Sequence, residues 1–195
     1  MGADVSSATT PRATRPRIPV ALLAALGAGV FVTVGLGVYG RLHDPTGETV
    51  VTAVFSGQIQ FKAWMTTLAV LFAIAQLLSA MRMYGRIGPS PPPAWLGDVH
   101  RLTGTLAFLC SLPVAFHCLW ALGFRAEFGL NRVFLHSIAG LVFYGAFAAK
   151  ILVVRSRNLP GLALPIVGAT VFTALVLVWF TSSYWFFTSF PGAKL

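Results

Sequence analysis

Five apolar segments, each close to the length that an α-helix needs to cross a bilayer, constrain this chain more than any other feature of its sequence. The hydrocarbon core of a membrane requires about 20 apolar residues in helical form. A lipid-exposed backbone must satisfy its own hydrogen bonds, and the segments lack the alternation of barrel strands. We therefore predict an all-α integral membrane bundle of five transmembrane helices, over residues 18–39, 63–80, 102–124, 133–154 and 164–187.

The composition agrees with this class and disfavours two others. Of the 195 residues, 56% are hydrophobic and 10% are charged. A soluble domain carries about 25% charged residues, whereas a disordered chain combines low hydrophobicity with high net charge. The net charge of +9 therefore indicates membrane topology and not a nucleic-acid surface. We expect membrane lipid as a partner and no nucleic acid.

The basic residues of the short loops predict how the chain crosses the membrane. Cytoplasmic loops carry an excess of Lys and Arg. Of the 14 Lys and Arg residues, nine fall on the side of the N-terminus and five on the other side. We predict a multi-pass protein of the bacterial plasma membrane, with its N-terminus inside and its C-terminus outside. Residues 1–17 are expected to form a disordered cytoplasmic tail before a five-helix domain over 18–195.

Two histidines at similar depth are the strongest candidates for chemistry. His117 lies near the end of the third segment and His136 near the start of the fourth, so antiparallel helices bring both into the outer part of the bilayer. An imidazole in hydrocarbon needs a partner, and a haem iron takes axial histidines. We predict one haem b per chain with His117 and His136 as axial ligands. The alternative is that each ring forms hydrogen bonds between helices.

The neighbours of His136 fit a haem. Gly140 lies one helical turn after it, where the absent side chain would let a macrocycle approach the backbone. Arg132 lies one turn before it and could pair with haem propionates, as could Lys62 or Arg125. No Cys-x-x-Cys-His sequence is present for covalent attachment of haem.

Two further histidines lie outside this pair. His100 is about 25 Å from His117 along the helix axis, so it is expected at the inner surface, where it lacks a histidine partner. It is an interfacial residue, or it contacts a quinone or a second haem. His43 is expected to be a solvated loop residue. Its alternative role is an outer metal site, for zinc or copper, with His117 and His136.

Other motifs narrow the class of function. The five segments contain no carboxylate, which disfavours a proton-coupled transporter. There is no phosphate-binding loop, nucleophile elbow or zinc-protease motif, so no catalytic residue is predicted. Asp98 is predicted to cap the third helix.

Three stretches, residues 99–104, 115–120 and 135–140, resemble the haem-ligand helices of cytochrome b561-type and ferric-reductase-like membrane proteins. The whole chain is also similar to an uncharacterised family of mostly actinobacterial membrane proteins that share the run over 144–150. The resemblance implies a membrane cytochrome, an oxidoreductase component that transfers electrons within or across the membrane. A fourth membrane histidine is missing, so a two-haem relay is not implied. The electrons would come from a quinol, a small reductant or a partner protein. The alternative is a cofactor-free membrane subunit that binds a partner complex.

Overall fold

The computed structural model describes residues 19–48, 51–123, 131–156 and 159–190. In this part of the chain, five helices are long and apolar enough to cross a membrane and there is no strand. They are α1 (Val20–Leu42), α2 (Gln58–Met83), α3 (Leu96–Phe116), α4 (Arg132–Arg155) and α5 (Ala163–Trp179). The prediction of an all-α bundle with five spans is confirmed. The predicted tail over 1–17 lies outside the described residues.

Two of the helices continue in a wider, π-helical form. α3 is extended by His117–Leu122, and α5 by Phe180–Tyr184 and then by a short helix, α6 (Trp185–Ser189). Both π-helical segments lie at the end where α1, α3 and α5 finish and α2 and α4 begin, which we call the cavity end. Single π-helical turns inside long helices are frequent at functional sites.

The helices follow one another around the bundle in an order that differs from their order in the chain. α2 packs along α3 and also contacts α5, while α4 packs against both α5 and α1. Side chains of α2, α4 and α5 form the main core, which consists of Ala69, Val70, Ala73, Phe143, Val171, Ala174 and Leu175. Close packing holds the bundle together. Lipid tails are as apolar as the helix surfaces, so the hydrophobic effect contributes little to the association of the helices.

The contact between α1 and α4 depends on small residues. A Cβ atom at Gly29 would lie 2.8 Å from the carbonyl oxygen of Gly145, which is too close for a real side chain. The hydroxyl of Thr33 also donates to the Leu141 carbonyl at 3.4 Å. The glycines therefore let the two backbones approach each other.

The helix ends differ from the predicted boundaries by up to six residues. α2 begins at Gln58 and α3 at Leu96, since the polar first turns of both helices dilute the apolar signal. Asp98 is not the N-cap of α3, which was predicted; it lies inside the first turn and pairs with Arg101. A carboxylate there still interacts favourably with the helix dipole.

Candidate functional site

A cavity of about 460 Å³ lies between the five helices at the cavity end. Two side-chain contacts join α3 to α4, and Ser111 and Tyr144, which make one of them, line the cavity wall. Phe108 stacks on Phe147 with ring centroids 4.1 Å apart, and the Tyr144 hydroxyl donates to the Ser111 carbonyl at 2.9 Å. The volume falls in the range of small-molecule and cofactor sites, about 300–1,000 Å³.

The charged side chains that line the cavity wall are cationic. Lys62 from α2 and Arg132 from α4 line the wall, and no carboxylate does so among the described residues. Arg132 is fixed in place: its Nη1 donates to the Thr181 carbonyl at 2.7 Å, and its guanidinium lies 3.8 Å from the centre of the Trp185 ring. This electrostatic arrangement favours an anionic group on any ligand.

His136 lines the cavity from α4, as Cys118 does from the extension of α3. Its Nδ1 lies 3.2 Å from the Thr181 hydroxyl, and its Nε2 lies 3.9 Å from the sulfur of Cys118. The Thr181 hydroxyl donates to the Leu177 carbonyl at 2.6 Å. With that hydrogen directed to Leu177, the Thr181 oxygen accepts from His136, which favours a proton on Nδ1 and leaves the Nε2 lone pair to the Cys118 thiol or to a ligand. A neutral imidazole oriented in this way is a typical metal ligand.

His117 lies at the same end of the bundle but faces a different way. The ring is fully buried, and its Nδ1 donates to the Pro113 carbonyl at 3.0 Å. Its Nε2 accepts from the backbone N–H of Val51 at 3.1 Å, and Phe61 packs against the ring edge. His117 does not line the cavity. The structure therefore does not bring His117 and His136 to one shared site.

The other residues predicted for the haem fall in two groups. Gly140 and Lys62 line the cavity with Arg132. A Cβ atom at Gly140 would meet nothing within 4 Å, which leaves open space where a macrocycle was expected. Arg125 lies outside the described residues.

His100 lies at the opposite end, on the face of α3 that meets α2. Its Nδ1 lies 2.9 Å from the Ser79 hydroxyl and 3.1 Å from the Gln76 carbonyl. The Gln76 amide fills the space beside Gly104, where a Cβ atom could not fit. These contacts give His100 a role in joining α2 to α3.

The outer three-histidine metal site is not formed. His43 stacks between Tyr39 and Trp120, with ring centroids 5.1 and 4.6 Å away, and its Nε2 bonds to the Trp120 carbonyl at 3.2 Å. Within the described ranges, no group of three His, Cys, Asp or Glu residues could hold a metal ion. The structure does not bring these three histidines together, because His43 and His117 are each bonded to backbone and His136 contacts Thr181 and Cys118. His43 lies at the surface, and its ring is held there by these contacts.

Three residues of the cavity region have no role in the prediction from sequence. The sulfur of Cys118 lies 3.9 Å from His136 Nε2. Thr181 was not considered, because threonine in an apolar helix usually bonds to its own backbone. Gln58 was placed outside the second span, and its buried Oε1 has no hydrogen-bond partner among the described residues. Cys118 directly follows His117 in the chain, and this was the one feature of the sequence that could have pointed to a cavity residue.

Comparison with known proteins gives one family match. The model of DUF6529, described as a family of unknown function, matches residues 21–193, which includes all five helices. No curated protein matches the chain, and no solved structure matches it.

Proposed function

The chain belongs to DUF6529, a family of unknown function, and from that premise we propose that it is a membrane b-type haem protein that transfers electrons within or across the membrane. The observation that carries the proposal is the setting of His136, which lines a cavity between apolar helices and whose Nε2 is in weak contact, at 3.9 Å, with the thiol of Cys118. Haem is flat and largely apolar, takes axial histidines, and would supply a one-electron iron couple. The protein would contribute the ligand, the apolar surroundings and the counter-charges.

The orientation of His136 supports a role as ligand. Histidines that bind metals almost always donate their other ring N–H to a protein acceptor, which fixes the ring and its tautomer. His136 has such an acceptor in Thr181, at 3.2 Å. The Nε2 of His136 meets a thiol, which is a weak hydrogen-bond donor, at 3.9 Å, whereas both ring nitrogens of His117 bond to backbone groups.

The shape and charge of the cavity support a propionate-bearing macrocycle. The open space at Gly140 gives the ring room beside His136. Lys62 and Arg132 supply two cations, which matches the two carboxylates of haem. Among the described residues neither cation has a carboxylate partner, so both charges remain available to a ligand.

The contacts favour His136 as the protein ligand and a structural role for His117. To bind the same iron, His117 would have to release Val51 and turn away from Phe61. Ligation by His117 stays a prediction, and the variants described in the Discussion test it. The resemblance to cytochrome b561-type proteins supports electron transfer, with a quinone or a redox protein as the exchange partner.

An absorption spectrum of the detergent-purified protein tests the proposal. Cells supplied with ample haem should yield protein with a sharp reduced α-band of b type after dithionite, and a pyridine haemochrome count of one haem per chain. A featureless spectrum would contradict the proposal and favour the cofactor-free, partner-binding alternative.

A matched pair of glycine variants tests whether the haem occupies this cavity. Gly140→Leu would fill the open space beside His136 without meeting another atom at its Cβ, so haem content should fall strongly. Gly35→Leu makes the same change on α1, where a Cβ also meets nothing within 4 Å but the residue does not line the cavity. Equal haem content in the two variants would place the cofactor elsewhere.

A further inference from the structure

Thr181, in the π-helical segment of α5, contacts both polar groups that α4 contributes to the cavity. We infer that it is a positioning residue, which fixes the ring of His136 and the guanidinium of Arg132 from a single point. The inference deepens the proposed function and rests on it for the haem-dependent part of its test. Thr181 itself does not line the cavity.

The hydroxyl of Thr181 selects the tautomer of His136. Its hydrogen is directed to the Leu177 carbonyl at 2.6 Å, with the Val178 carbonyl at 3.2 Å as a second acceptor. The oxygen lies 3.2 Å from His136 Nδ1 and is left as an acceptor. A proton on Nδ1 is therefore favoured, which leaves the lone pair on Nε2, the nitrogen 3.9 Å from the Cys118 sulfur at the cavity wall.

The carbonyl of the same residue holds Arg132. Its oxygen accepts from Arg132 Nη1 at 2.7 Å, while the guanidinium packs over Trp185, four residues further along the chain. Arg132 and His136 are one helical turn apart on α4. One widened turn of α5 thus sets the direction of the candidate ligand and of one candidate counter-charge together.

A second hydrogen-bond acceptor, a backbone carbonyl, lies near the ring of His136. The backbone carbonyl of Val178 also interacts with His136. If that carbonyl alone orients the ring, the Thr181 hydroxyl is dispensable. Removing the hydroxyl while keeping the size and branching of the side chain separates the two possibilities.

The experiment compares three variants in the full-length purified protein. Thr181→Val removes the hydroxyl, and Thr181→Ser retains it. Thr170→Val is the matched control, because Thr170 makes the same bond to its own helix, to Ile166 at 3.0 Å, but is exposed and lies away from the cavity. The readouts are the ring-nitrogen NMR shifts of His136, the affinity for haem and the reduction potential.

For Thr181→Val we expect loss of the Nδ1–H tautomer preference of His136 and a fall in haem affinity of about tenfold or more. The reduction potential should become more positive, since an imidazole that lacks this hydrogen bond donates less electron density to iron. Thr181→Ser and Thr170→Val should resemble the wild type in all three readouts.

The outcomes separate this inference from the proposed function. An unchanged tautomer preference and haem affinity in Thr181→Val would overturn the inference and assign the orientation to Val178. A wild-type protein that binds no haem would overturn the proposed function, and the NMR shifts would still decide whether Thr181 sets the tautomer. Equal losses in Thr170→Val would also contradict the inference, because a general effect on α5 would explain them.

Discussion

His117 and His136 lie at the same end of two helices that are consecutive in the chain, yet their burial and their hydrogen-bond partners differ. His117 is fully buried, and both ring nitrogens bond to backbone groups, of Pro113 and Val51. His136 bonds to the Thr181 hydroxyl through Nδ1, and its Nε2 makes a weak contact, at 3.9 Å, with the sulfur of Cys118 at the cavity wall. An imidazole with both nitrogens bonded to backbone holds the fold together, whereas one whose lone pair meets only a weak thiol donor can exchange that contact for a ligand.

The difference shows that a structural residue and a candidate ligand can lie at the same end of one membrane bundle. We call His117 with its bonds to Pro113 and Val51 the clamp. His117 ties the segment between α1 and α2 to α3, and Trp120 and Ala121 support that segment by accepting from the N–H groups of Thr46 and Gly47 at 3.2 and 3.0 Å. The π-helical segment of α3 thus holds the clamp on one face. Its other face contributes Cys118 to the cavity.

The largest expected effect concerns the stability of the clamp. His117→Ala would leave the Val51 N–H without its acceptor, remove the ring's bond to the Pro113 carbonyl and create a cavity, so it should lower the free energy of unfolding by about 3 kcal/mol. His136→Ala loses one hydrogen bond beside an existing cavity and should cost about 1 kcal/mol. Thermal unfolding in detergent, followed by tryptophan fluorescence, would measure both. Equal losses would remove the distinction between the two residues.

The next effect concerns the charge of the cavity wall. Lys62→Gln should weaken haem binding by about tenfold, or about 1.4 kcal/mol, because one charge-assisted contact to a propionate is lost. Arg41→Gln removes the same charge at the same end of the bundle from a residue that does not line the cavity. A haem titration of both variants measures the difference. If Arg41→Gln binds haem as weakly as Lys62→Gln, the effect belongs to the surface charge in general.

The smallest effect is expected at His43. Its stacking on Tyr39 and Trp120 lies at the protein surface, so His43→Ala should cost about 1 kcal/mol or less of stability and leave haem content unchanged. Haem counting and thermal unfolding on one sample would check this. A strong loss of haem in His43→Ala would show that the segment between α1 and α2 takes part in the site.

The spans could be predicted from the sequence because hydropathy and length are one-dimensional properties. All five predicted segments overlap the helices of the structure, and the depth assigned to His117 and His136 is consistent with their common location at the cavity end. The start of α2 was set too late, since Gln58 and Lys62 interrupt the apolar pattern. Both polar residues line the cavity. The side chains that form the cavity wall therefore also mask the start of the helix in the hydropathy pattern.

The rotation of each helix about its own axis could not be predicted. Where a helix is apolar on all sides, its periodicity does not indicate which face meets which neighbour. His117 faces Phe61 and Val51, while the adjacent Cys118 faces His136. The contact of Thr181 with His136 joins two helices and depends on a π-helical turn, which no residue pattern in the sequence indicated.

The haem content of His136→Gln and His117→Gln, purified side by side, shows which histidine binds the iron. A glutamine amide has both a donor and an acceptor, so it can retain the hydrogen-bonding capacity of His117 while removing its ability to ligate iron. The account predicts that His117→Gln keeps its haem and that His136→Gln loses it. Full retention of haem in His136→Gln would contradict the account, and loss in both variants would restore ligation by two histidines.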